Sequence, residues 1–119
     1  MNKYFGLSTE LINLVAQEII SRIDDYEDCE LFDLADEMFS HDYYIIGIKQ
    51  AKEFIAEYID DMFVLNEYIN NLYGEELTFK DPEVIVSTVM FLTAGMIIGE
   101  LNVEKYDTEL IKKELERLL

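Results

Sequence analysis

The chain has no tryptophan, one proline (Pro82), one cysteine (Cys29), one histidine (His41) and five scattered glycines in 119 residues. Each scarcity excludes something. A lone cysteine rules out an intramolecular disulfide framework and fits a reducing compartment. A single histidine rules out the di-iron bundle, which needs two Glu-x-x-His pairs. One His and one Cys in different elements are also thin material for a nucleophile held by a base and a third group. No glycines stand in Walker-type or dinucleotide-binding spacing. Basic residues are scarce as well: nine Lys and Arg face 26 Asp and Glu, a net charge of −17. Phosphate contact requires cations, so direct nucleic-acid binding is not expected. No enzyme activity, cofactor or metal is expected.

Long hydrophobic runs are scarce too. The only one is VIVSTVMFLTAGMIIG at residues 84–99, interrupted by Ser87, Thr88 and Thr93. It falls short of the roughly 20 apolar residues that span a bilayer, and its acidic flanks lack a Lys or Arg anchor. It reads as a core helix, because helices apolar all round are generally buried. The first twenty residues contain Glu10 and Glu18 and no basic run before an apolar stretch. No signal peptide and no membrane association are expected, and the cytoplasm is the expected location.

What the chain does have is acid, unevenly placed. Residues 23–79 carry sixteen Asp and Glu against Lys49 and Lys52, a net of −14, while the remainder carries a net of −3. Asp24, Asp25, Glu27, Asp28, Glu30, Asp33, Asp36, Glu37 and Asp42 lie between Arg22 and Lys49 with no base among them. Half the residues are apolar and fifteen are Phe or Tyr, so the acid decorates a folded body and not a disordered tail. Self-repulsion on this scale opposes compaction and suits solubility, a cation or a basic partner.

Hydrophobic periodicity predicts a mostly α fold: one compact domain, 1–119, of about five helices, with room for a minor two-strand β element. Ser8 or Thr9 caps a first helix to about Ile23. Asp28 caps a second to about Phe39, with Glu30, Asp33 and Glu37 in a row on its outer face. A third is expected from about Ile48 to Leu72, with Ala51, Phe54, Ile55, Tyr58, Met62, Leu65 and Ile69 inward and Gly74 as C-terminal cap. His41 to Gly47 reads as a short extended piece or a tight connection, and 75–79 as a second extended piece that could pair with 43–46. Asp81-Pro82 starts the core helix, with Asp81 accepting free amide hydrogens. Asp107 or Thr108 caps the last helix.

Metal-like patterns are weak. Glu37 and His41 stand four apart, but two ligands make a poor site. Asp42, Gly47 and Glu53 fit the first, sixth and twelfth positions of an EF-hand-like loop, but Tyr44 and Ile46 then fall where carboxylates are needed. The acid itself is the stronger feature. Glu53, Glu57 and Asp61 recur every four residues with Asp60 and Glu67 beside them, predicting an exposed row at about 6 Å per step. Phosphates advance about 3.4 Å per nucleotide on each strand, so two such rows could approximate a phosphate pattern. The expected partner-binding residues are therefore Asp24, Asp25, Glu27, Asp28, Glu30, Asp33, Asp36 and Glu37, with Glu53, Glu57, Asp60 and Asp61. An ordinary solvated helix face is the alternative reading of the same residues. Tyr43, Tyr44 and Tyr58, interleaved with acids, read as interface tyrosines, while Tyr43-Tyr44-Ile45-Ile46 reads alternatively as a plug beneath the loop between the second and third helices.

Segment 34–54, LADEMFSHDYYIIGIKQAKEF, with the later YGEEL and DPEVI, resembles a pattern in small acidic phage-encoded proteins. Size, helicity and acidity are more loosely similar to the Ocr-type DNA-mimic anti-restriction proteins, although this chain lacks an acidic tail. That likeness implies a non-enzymatic inhibitor in the cytoplasm of an infected host cell. Its partner would be the basic nucleic-acid-binding groove of a restriction or CRISPR effector. The alternative is an acidic adaptor or regulatory protein, homodimeric through surplus apolar residues such as Phe63, Val64, Met90 and Met96.

Overall fold

A central apolar helix organises the structure, a computed structural model that describes residues 6–26, 29–39, 46–74, 81–101 and 107–119. The elements in chain order are α1 (Thr9–Arg22), a 3-10 turn (Ile23–Tyr26), a second 3-10 turn (Leu31–Asp33), α2 (Leu34–Phe39), α3 (Ile48–Glu57), α4 (Ile59–Tyr73), α5 (Pro82–Gly99) and α6 (Thr108–Glu116). The protein is a mostly α bundle. Among the described residues there is no strand. The two extended segments expected at 43–46 and 75–79 lie largely or wholly outside those residues.

α5 is the post on which the others lean. Its Ile85, Val86, Val89, Met90, Ala94, Ile97 and neighbours are buried beneath α1, α2, α3 and α4. By length and composition this helix could cross a membrane, but half of it is already enclosed by the protein. Two of its hydroxyls are accommodated locally: that of Ser87 donates to the Phe39 carbonyl at the end of α2, and that of Thr88 donates to the Val84 carbonyl at 2.8 Å. A bond from Ser87 to a helix-terminal carbonyl satisfies an acceptor that has no intrahelical donor.

α1 presents Leu11, Ile12, Val15, Ala16 and Ile19 to α5 and α6, and α6 returns Ile111 and Leu115. Three- and four-residue spacing puts each set on one stripe, so burial of that stripe stabilises both helices together. Ser8 caps α1 by accepting from Leu11 N–H at 3.2 Å, and Asp107 caps α6 by accepting from Glu109 and Leu110. Asp81 occupies the equivalent place before α5 with Pro82 at the first helical position, but its carboxylate makes no capping hydrogen bond. That expectation is corrected.

Two helix boundaries also differ from the sequence reading. Glu30 has extended backbone (φ −85°, ψ 152°) and is the residue that precedes the second helical segment, which starts as a 3-10 turn at Leu31, later than a cap at residue 28 implies. The third expected helix is two. At Tyr58 the backbone leaves helical geometry (φ −110°, ψ 29°), separating α3 from α4. Gly74 then ends α4 with φ 68°, a left-handed conformation that glycine adopts without a Cβ clash.

Candidate functional site

The break at Tyr58 rearranges the acidic row expected along the third helix. Glu53 and Glu57 lie exposed on α3, and Asp60 lies exposed in the first turn of α4. Asp61 does not join them: it is 5% exposed, and its carboxylate accepts from Ser8 N–H at 2.6 Å and from Ser8 Oγ at 2.7 Å. Its assignment to a partner-binding surface is corrected. Both acids near the start of α4 also favour that helix electrostatically, because its N-terminus carries partial positive charge.

Around this junction the chain forms a cleft of about 270 Å³ lined by residues including Ser8, Glu10, Glu57, Tyr58, Asp60 and Asp61. Burial first, then the charges of Glu57, Asp61 and Glu10, push the Tyr58 phenol above its ordinary range. Tyr58 is held in place by Phe54, with ring centroids 4.8 Å apart. Glu10 was absent from the expected site. Its only sequence signal is its position in the first turn of α1, and α1's docking through Ser8 brings it here.

A second acidic group surrounds Cys29. Glu30, Asp33 and Glu37 are exposed, and their charges reach the thiol. Burial is the largest cause of its raised pKa, followed by Glu37, Asp33 and Glu30. The Cys29 thiol also donates to the Glu30 carbonyl at 3.1 Å, which favours the protonated form. Asp36 is exposed on the same short helix as Glu37.

Among the described residues, few of these carboxylates are paired with a cation. Between described residues, Lys112 pairs with Asp24 at 2.7 Å and approaches Glu109 at 3.9 Å, and Arg117 pairs with Glu114 at 3.2 Å. Asp24 is thus an expected partner-binding residue already tied to a lysine of α6. Asp25, Glu30, Asp33, Asp36, Glu37, Glu53, Glu57 and Asp60 are exposed and meet no Lys or Arg among the described residues. Glu27 and Asp28 lie outside the described residues, as do His41, Asp42, Tyr43 and Tyr44. Among the described residues no three His, Cys, Asp or Glu are placed to hold a metal ion.

Of the four apolar residues expected to be exposed and paired, Met90 and Met96 are instead buried in the core. Val64 is half-buried, and Phe63 is 67% exposed on α4. A shallow apolar groove between α4 and α5 is lined by Tyr68, Ile69, Phe91, Leu92, Gly95 and Met96, among others. In comparison with known proteins, the chain matches no family model, no curated protein and no solved structure.

Proposed function

We propose that this chain is a non-enzymatic inhibitor that presents exposed carboxylates to a basic nucleic-acid-binding groove, in place of phosphates. The observation that carries the reading is the set of eight exposed carboxylates, from Asp25 to Asp60, that no cation opposes among the described residues. A charge left unopposed on the free protein is available to a partner's Lys and Arg, and such pairing speeds encounter and weakens with salt. The resemblance to phage-encoded acidic proteins supports a restriction or CRISPR effector as the class of partner, met in the cytoplasm of an infected cell. Asp61 belongs to the scaffold in this reading, and Glu10 joins the cleft group.

The test is charge reversal at sites whose side chains do not support the fold. Asp33→Lys, Asp36→Lys, Glu37→Lys and Glu53→Lys together should abolish capture of a basic nucleic-acid-binding protein while circular dichroism stays unchanged. Full capture by the reversed protein sinks the reading. The adaptor alternative keeps Phe63 as its one strongly exposed residue of the original four.

A further inference from the structure

α4 carries an apolar pair on its outward face that its own packing does not use. Met62 and Leu65 fill the inward side, with Asp61 tied to Ser8. Ile59 and Phe63 are one turn apart, so they share a face, and they are 42% and 67% exposed. Asp60 stands three residues before Phe63 and Glu67 four after it, which places both exposed carboxylates beside the ring on the helix surface. No Lys or Arg occurs between Lys52 and Lys80, so α4 itself contributes no positive charge to this face.

We infer that Phe63, with Ile59, is an apolar anchor framed by Asp60 and Glu67, and that its occupant is a protein surface with an apolar socket edged by Lys or Arg. The inference rests on the acidic-inhibitor reading and names the partner chemistry that reading leaves open. Charge selects the occupant. Nucleic acid and anionic lipid would bring phosphate against Asp60 and Glu67, and a second copy would bring the same two carboxylates against themselves. A cationic apolar surface satisfies both halves of the face. An aromatic side chain at the centre of a polar rim matches the general anatomy of protein interfaces. It also adds a component that salt does not screen, which carboxylates alone lack.

Two synthetic peptides of equal positive charge separate the contributions: an amphipathic leucine–lysine helix and an oligolysine. The protein should bind the amphipathic helix more tightly, with amide shifts centred on Ile59, Phe63 and Glu67. Phe63→Ala should weaken the amphipathic peptide about tenfold and leave oligolysine unchanged. Asp60→Asn with Glu67→Gln should weaken both. Equal binding of the two peptides, no binding of either, or indifference of the amphipathic peptide to Phe63→Ala overturns the inference. So does light scattering in which Phe63→Ala converts a dimer to a monomer. Phe63-dependent binding that shows no salt sensitivity would instead keep the anchor and remove the acidic-inhibitor reading. Because Phe63 is outside the core, unchanged circular dichroism of the variant is expected and is checked first.

Discussion

Ser8 and Asp61, 53 residues apart, form a clamp in which the Asp61 carboxylate accepts the Ser8 amide and hydroxyl hydrogens at 2.6 and 2.7 Å. The same Ser8 oxygen accepts from Leu11 N–H and caps α1. One side chain therefore fixes where α1 begins and how α4 sits against it, and the cleft acids Glu10, Glu57 and Asp60 are arranged around the clamp.

Asp61→Ala should destabilise the fold by about 1–2 kcal/mol, because it leaves the half-buried Ser8 amide and hydroxyl without their acceptor. Urea denaturation measures this. Asp60→Ala, one residue earlier and exposed, should change stability by less than about 0.5 kcal/mol. Equal effects at the two positions would show that the clamp contributes nothing.

Cys29 should titrate above the ordinary thiol range, so alkylation at neutral pH should be slower than for a free thiol, with its midpoint at higher pH. Glu37→Gln with Asp33→Asn should lower that midpoint, since both carboxylates raise it. Burial remains the first cause, so the double variant should not restore the ordinary value.

Lys112 is held above its ordinary value first by its hydrogen bond to Asp24, against a smaller opposing effect of desolvation. A raised folded-state pKa contributes stability that is complete below the unfolded value and lost as pH rises through the folded one. Lys112→Met should therefore melt below wild type at neutral pH, with the gap shrinking at strongly alkaline pH and in high salt. A gap that persists in both conditions would point to packing by the lysine stem and not to the ion pair.

Gly95 lies exposed within α5, and a Cβ built there would meet nothing within 4 Å. Gly95→Ala should stabilise the protein by about 0.5–1 kcal/mol through lower unfolded-state entropy and better helix propensity. Val89→Ala on the buried side should cost about 1–3 kcal/mol. Thermal melts of the two variants should thus move in opposite directions.

The helices α1, α5 and α6 were legible because their signals are local: Ser8 and Asp107 as caps, Pro82 at a helix start, and continuous apolar spacing. The break at Tyr58 was not legible. The spacing of Ala51, Phe54, Tyr58, Met62 and Leu65 stays helical across it, so periodicity alone joins α3 to α4. Asp61 was misread for the same reason: a carboxylate every fourth residue reads as an outward row, and the partner that draws it inward is 53 residues away. Met90 and Met96 lie on a helix apolar all round, where no pattern tells the covered side from the open one. The exposed acids of residues 25 to 60 were readable because uncompensated charge seldom enters a core.

Displacement of labelled duplex DNA from restriction and CRISPR effector complexes tests the central claim most directly, across a salt series and with the four-site lysine variant alongside. Wild type should displace the DNA, losing at least about tenfold in affinity between about 50 and 200 mM salt, while the variant should fail at every concentration. Displacement that ignores salt, or that the lysine variant matches, would contradict the account, as would failure of the wild type against every complex.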